Sequence, residues 1–448
     1  MQKQVSNTSL PICLVALVAL FLAGCTLPFF GQESVATASD ATNQDVTIKW
    51  FMRWDQARVD NVALPVIEAF EKLHPNIKVD FENVSSADDY NQMLNISIAA
   101  GTAPDVLYPS THIAYALATK GSLLTLNEYT KAAGMDLSRY DPSILELYQL
   151  ANQQYCLPID TAALAVFYNK DMFDQAGVAY PQAGWNWDDF LTTAKALTAD
   201  LDRDGQTDRF GVDRFVNYWP ILVWTKTGHA LFDDLRKPTR FLMTDPEAVE
   251  AVQWLANLIN EHGVMPTSDQ VANVGDMFVA GKAAMQVVGH WRVPTYLANA
   301  DFAFDFAPLP IGKVAANRAD GSCFAISAAS AHPQAAWEFV QFLSGPNALG
   351  IRLLLELQQM TPAIIDYQQD DVFLQPEQLL NTNKVAFLAG KEHLFSLYDP
   401  IHPVYTTWDD LWKEELEPVW QGTTTAADAF ARMTPEVEKM LANLTDYE

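Results

Sequence analysis

A chain of 448 residues is longer than one hydrophobic core usually serves, so two lobes or domains are expected. With 49% apolar and 11% aromatic residues and no long low-complexity tract, the composition is that of a folded protein. Its 55 acidic against 28 basic side chains give a net charge of −27, a field that repels phosphate backbones and excludes nucleic acid as a partner.

The chain opens with Lys3 and an apolar run from Leu10 to Leu22, closed by Leu22-Ala23-Gly24-Cys25. That run is short for a bilayer span and sits where a secretory signal belongs. Leu-Ala-Gly-Cys resembles the lipobox of bacterial lipoproteins. Residues 1–24 would then be a lipoprotein signal peptide, and Cys25 would carry lipid and anchor an extracytoplasmic protein to the cell membrane. An ordinary signal peptide or an uncleaved anchor is the alternative. Residues 25–45 are Thr/Ala/Ser/Gln-rich without periodicity and read as a flexible tether. Cys13 would leave with the signal, so Cys156 and Cys323 remain for one disulfide or for two buried thiols.

Val46 to Phe51 reads as a strand from its β-branched, alternating content. Val62, Val66, Ile67, Phe70 and Leu73 follow at helical spacing over 59–73. Ile77 to Phe81 alternates as a second strand, a helix is expected over 86–100 before Gly101, and Pro104 to Tyr108 opens a third strand. This alternation predicts an α/β lobe with a mainly parallel sheet, whose ligand crevice lies beyond the carboxyl ends of the strands. Arg53-Trp54-Asp55 and the Tyr108–His112 segment would share that rim. Further on, Leu164 to Tyr168 and Met285 to Gly289 read as strands. Helices are predicted over 188–201, 245–261, with Thr244 or Asp245 as N-cap and Pro246 at N1, 271–281 and 332–343, and the C-terminal third is mostly helical.

Ala100-Gly101-Thr102-Ala103-Pro104-Asp105-Val106, Leu157-Pro158-Ile159-Asp160, Phe167-Tyr168-Asn169-Lys170 and Trp185-Asn186-Trp187-Asp188-Asp189-Phe190 follow one another in order. Phe278 to Met285 and Gly289-His290-Trp291 come after them. In order and spacing these resemble the extracellular solute-binding proteins (family 1) of ABC sugar importers, the family of maltose-binding protein, from about Val46 to the C-terminus. The resemblance implies a two-lobed periplasmic-binding-protein-like fold, each lobe a mainly parallel sheet flanked by helices, with ligand held between them. Lobe one would be 46–157 plus 325–372 and lobe two 158–324 plus 373–448. The crossings would then fall near Leu157-Pro158 and Cys323-Phe324, where Cys156 and Cys323 could be neighbours across the hinge.

A sugar needs planar side chains to stack on its C–H faces and short polar groups for its hydroxyls. Arg53, Trp54, Asp55, Tyr108 and Ser110 are candidates from the strand ends. Asp160 lies just past the first crossing, where the family often places a ligand carboxylate. Trp219 and Trp224, which flank Pro220, and Trp291 and Trp408, which match aromatic positions of the family, complete the ligand set. Any one of these tryptophans could equally be core. The sequence departs from maltose-binding protein at Pro109, where that relative carries an aromatic residue, which argues against maltose itself. The acidic surface disfavours a strongly anionic ligand unless a basic pocket overrides the global field.

Asp200, Asp202, Asp204 and Asp208 occupy positions 1, 3, 5 and 9 of an EF-hand-like loop with Gly205 at position 6, although position 12 is Gly211. Ca²⁺ is thus the one cofactor with a candidate site, and a turn held by Asx-type bonds is the alternative. The eight His do not cluster at metal-ligand spacing, and neither a phosphate loop nor a Gly-x-Ser-x-Gly elbow is present. A monomeric binding protein and not an enzyme is therefore expected, partnered by a sugar or oligosaccharide and by ABC permease subunits. The rivals are a secreted glycoside hydrolase, which would need a carboxylate pair, and the same fold holding a glycerol phosphoester or polyamine.

Overall fold

The computed structural model describes residues 45–444 apart from 358, 359 and 398. The signal, Cys25 and the tether as far as residue 44 lie outside the described residues. Strand β1 (Val46–Met52) pairs in parallel with β2 (Ile77–Asn83), Val46 opposite Ile77, and with β3 (Val106–Leu107), Trp50 opposite Val106. Helix Leu64–Leu73 connects the first two strands and turns Val66 and Phe70 inward, after a π-helical turn at Val59–Ala63. The second helix, Ala87–Ala99, begins where Ser86 caps it by accepting the Asp89 N–H. A Ser side chain there satisfies a backbone donor that the first helical turn leaves unpaired.

Two further strands complete this sheet, one of them, β8, in the opposite sense. β4 (Cys156–Pro158) and β8 (Cys323–Ile326) run antiparallel to each other, and β8 runs antiparallel to β3, giving the order β2-β1-β3-β8-β4. Trp50 anchors the core beneath, with ring centroids 5.1, 6.0 and 5.0 Å from Phe81, Phe324 and Phe339. Cys156 and Cys323 form a disulfide with their Cα atoms 5.6 Å apart, so the thiol alternative does not hold.

The second lobe has a three-stranded sheet in the order β7-β5-β6, from β5 (Leu164–Asn169), β6 (Met285–Gly289) and β7 (Phe304–Ala307). All its pairings are antiparallel, a difference from the parallel sheet expected in each lobe. Hydrophobic pattern reports which residues are buried, as all six of β5 are, and carries no information on strand direction. Around this sheet pack helix Trp187–Leu197, with its Asn186/Asp189 capping box, and helix Pro246–Asn260, capped by Asp245. Helices Tyr405–Trp420 and Ala426–Leu441 complete the shell. The helix expected over 271–281 is absent. Ser268–Ala272 is helical, and Gly275 and Gly281 at φ 86° and 64° break the chain into turns that a helix cannot follow.

One large core draws on residues between Ile48 and Ile159, between Ala319 and Tyr367, and on Ile401, and the other on residues between Leu164 and Ala316 and between Tyr405 and Val437. The chain passes between them at 160–163, at 317–318, and after Tyr367. No described helix is long and apolar enough to cross a membrane.

Candidate functional site

The crossings and the carboxyl ends of β1 and β3 meet at a cavity of about 270 Å³. Arg53, Trp54, Tyr108, Asp160 and Trp291 line it, which brings together five of the residues expected from the sequence. Arg58, Ser85, Arg318, Gly321 and Ser322 join them. A roomier cavity of about 940 Å³ lies between residues 238–246 and the C-terminal helix. It draws on one lobe and has a single aromatic, Phe241, so chemistry favours the smaller cavity over the larger volume.

Each wall has a local cause. β1 ends at Met52, and Trp54 is fixed by a reciprocal pair of bonds: its N–H donates to Asn83 Oδ1 at 2.8 Å, and its carbonyl accepts from Asn83 Nδ2 at 2.9 Å. The Trp54 ring sits edge-on to Tyr108 at 6.0 Å and is fully buried, and its Nε1–H has no acceptor among the described residues. The Tyr108 N–H donates to the Tyr90 hydroxyl at 2.9 Å, and burial raises the Tyr108 phenol to about 12. Asp55 is not among the residues that line the cavity. It caps the short turn at Gln56–Arg58, pairs with Arg58 at 3.1 Å and accepts from Thr295 Oγ1 at 3.2 Å, a contact between lobes. Burial opposes its ionisation, but Arg58 and these hydrogen bonds prevail and hold its carboxyl below the usual value. Ser110 stands at the start of helix Thr111–Thr119 with its hydroxyl 3.3 Å from His112 Nδ1, outside the lining. The His112 ring in turn meets Tyr405 of the other lobe at 4.7 Å.

Asp160 is buried at the crossing, where its Oδ1 accepts the Ser322 N–H at 2.7 Å. Desolvation raises its carboxyl to about 6, against the pull of that N–H and of Arg318 and Arg53. Its ionised form is therefore disfavoured in the fold. For this group stability is full below the unfolded value of 3.8, is lost as pH rises towards about 6, and stays lost above. The implied cost near neutrality is about 3 kcal/mol. Asp160→Asn keeps the acceptor for Ser322 and removes the charge. It is expected to raise the thermal midpoint at pH 8 and leave it unchanged at pH 3.5, as scanning calorimetry at the two pH values would show.

Trp291 sits on the turn after β6, half-buried, with the Arg318 guanidinium 5.5 Å from its ring centroid. Gly289 makes room for this ring: a Cβ there would run into Trp291 Cζ3 and Cε3. Its φ of −91° is open to any residue, so the requirement is space and not backbone conformation. Gly289→Ala is expected to cost about 1–3 kcal/mol of overpacking and to swing the indole from its place, read as a shift in tryptophan emission with the fold retained by circular dichroism.

Trp219, Trp224 and Trp408 are corrections to the expected ligand set. All three are at most 1% exposed and belong to the second lobe's core. Trp219 packs on Trp412 and Phe430, Trp224 stacks on Phe395 at 5.4 Å, and Trp408 meets Phe232 and Phe241. Helix Pro220–Thr227 is enclosed almost all round, and Trp408 shares the inward stripe of its helix with Trp412 and Leu416, so neither reaches the cavity. Arg318 and Ser322 were missed. Their signal was the polar run Asn317-Arg318-Ala319-Asp320-Gly321-Ser322 entering an otherwise buried strand at a crossing.

The Asp-rich loop gathers carboxylate oxygens of Asp200, Asp202 and Asp208 within 4.8 Å of one another, while Asp204 stays outside that group. These carboxylates also accept loop N–H groups, such as Gly205 to Asp200 at 2.9 Å and Leu201 to Asp208 at 2.7 Å. Three exposed carboxylates already turned to backbone donors, with Gly211 where a bidentate Glu would stand, are a partial match to a Ca²⁺ shell.

Residues 57–348 match the family described as bacterial extracellular solute-binding protein. A putative binding protein of Brucella abortus is 26% identical over 320 residues, 69% of this chain and 74% of that one. A multiple sugar-binding protein of Streptococcus mutans is 22% identical over 354 residues, 75% of this chain and 78% of its own. An ABC substrate-binding protein from Listeria monocytogenes, solved in complex with cycloalternan, matches with a TM-score of 0.79 at 24% identity. The match covers 89% of this chain and 100% of that one, and it speaks for the fold.

Proposed function

The chain belongs to the bacterial extracellular solute-binding protein family, and from that premise we propose that it captures a sugar or short oligosaccharide between its lobes and delivers it to an ABC permease. The observation that carries this reading is the cavity at the crossings, where Tyr108 and the half-buried Trp291 offer aromatic surface, backed by the enclosed Trp54, beside Asp160 and the arginines. Aromatic rings take the apolar faces of a sugar, and short polar groups take its hydroxyls. A volume of about 270 Å³ is at the small end of ligand sites. The bound solute would touch both lobes, so it favours the closed arrangement by its differential affinity for that state.

The relatives from Streptococcus mutans and Listeria monocytogenes carry sugar-related descriptions, which support the same substrate class. Maturation would cut the chain before Cys25 and attach lipid there, leaving the body tethered outside the membrane. Intact-mass measurement of the mature protein tests this, and an unmodified Met1 would end it.

The reading itself is tested by a thermal-shift screen over mono- and oligosaccharides, with chromatography of each sugar afterwards. A ligand present at a hundred times its Kd stabilises by about 2.7 kcal/mol. A shift with the sugar recovered intact is the expected result, and Trp291→Ala should abolish it. Hydrolysed sugar would instead favour a glycoside hydrolase, and the absence of any shift would remove carbohydrate as the ligand.

A further inference from the structure

The charges around the cavity do not mirror those of the protein. The chain carries −27 overall, yet three guanidiniums, Arg53, Arg58 and Arg318, line this cavity against one carboxylate, Asp160. Two of the three are committed. Arg58 pairs with Asp55 at 3.1 Å, and Arg318 meets Asp320 Oδ2 through Nε at 2.8 Å and Nη2 at 2.6 Å.

Arg53 is held differently. Its Nη2 donates to Ser322 Oγ at 3.3 Å, and its Cζ lies 5.6 and 5.8 Å from the ring centroids of Tyr108 and Tyr90. Among the described residues no carboxylate pairs with it. Asp160 makes no ion pair with it, although the Arg53 charge pulls its carboxyl down, and it turns its Oδ1 to the Ser322 N–H. A guanidinium has five N–H donors in a rigid fork that fits a carboxylate through two parallel bonds. Arg53 spends one of them. The buried Trp54 Nε1–H beside it is a further donor without an acceptor among the described residues.

A neutral sugar would accept hydrogen bonds from these groups but offer the guanidinium fork no planar pair of acceptors that matches it. Building on the sugar-binding reading above, we infer that the ligand is a sugar carrying one carboxylate, a uronic acid, which Arg53 recognises through its guanidinium fork. One carboxylate follows from one guanidinium fork that has no ion-pair partner. A phosphate monoester, which carries close to two negative charges at neutral pH, would bring a surplus beside Asp160. Arg53 is then the specificity-determining residue, and Trp291 is the platform for the ring that bears the acid.

The test is isothermal titration of the full mature chain at low ionic strength. Glucuronate- and galacturonate-containing disaccharides are compared with the matching glucose and galactose disaccharides, alongside a glycerol phosphodiester. The uronates are expected to bind at least about tenfold more tightly than their neutral counterparts, as a charge-assisted bidentate contact does relative to neutral hydrogen bonds. Their affinity should weaken with added salt while that for neutral sugars holds. Arg53→Gln should bring the two classes within about twofold, and Arg53→Lys, which keeps the charge and loses the fork, should restore part of the gap. Equal or tighter binding of the neutral disaccharides overturns the inference and leaves sugar binding standing. Binding of the phosphodiester alone, or of no carbohydrate, overturns both. If Arg53→Gln fails to fold, discrimination in the wild type and in Arg53→Lys still decides the matter.

Discussion

Arg318→Ala is expected to destabilise the protein by about 3–5 kcal/mol, the cost of stranding one member of a buried ion pair. Arg318 and Asp320 are 7% and 0% exposed, and the second Asp320 oxygen accepts the Leu397 N–H at 3.0 Å. Without Arg318 that carboxylate loses its counter-charge where water cannot replace it. The double variant Arg318→Met with Asp320→Asn keeps an acceptor for Leu397 and removes both charges, so it should recover most of the loss. Binding is expected to separate from stability. Both variants lose the guanidinium beside Trp291, and neither should show a sugar-induced thermal shift. Chemical denaturation of the three proteins, followed by the shift assay, checks the two parts independently. A double variant no more stable than Arg318→Ala would show that the stranded charge is not the cause.

Removing the disulfide should be about as damaging. Cys156 and Cys323 are 167 residues apart in sequence, and a loop of that length corresponds to about 5 kcal/mol in the chain-entropy account, with about 2–5 kcal/mol typical on removal of a native bridge. The expected result for the variant with both cysteines changed to alanine is a large fall in thermal midpoint under oxidising conditions. In the wild type both sulfurs are enclosed, so dithiothreitol should leave the native protein untouched at room temperature and act once it unfolds. The bridge ties β4 to β8 at the two main crossings and so holds the floor of the cavity. A thermal midpoint indifferent to loss of both cysteines would contradict this. A structural disulfide also agrees with the extracytoplasmic location of the family.

How far the site could be read in advance differed residue by residue. Trp54 and Tyr108 follow the first and third strands read from the sequence, and strand ends in an α/β lobe point to a crevice, so both were expected at the rim where they stand. Asp160 came from a motif at the first crossing and Trp291 from the Gly289-His290-Trp291 motif, and the cavity includes both. Trp219, Trp224 and Trp408 were expected in the same place and are core, because a tryptophan has the same composition whether its ring faces a ligand or a neighbouring phenylalanine. Arg318 escaped notice because its place beside Trp291 is made by a strand and a turn some thirty residues apart in the chain.

What the sequence determined by itself was local. Alternation marked β1 and β2, helical spacing marked helix Leu64–Leu73, and the cap expected at Thr244 or Asp245 marked the start of helix Pro246–Asn260. These rest on interactions within a few residues, where backbone donors and side-chain periodicity are decided. Only the tertiary structure decided the antiparallel second sheet, the bond between Cys156 and Cys323, which tryptophans are enclosed, and the convergence of three arginines in an acidic protein. Each depends on which distant segments pack together, and that is a balance of burial summed over whole cores that no short window contains.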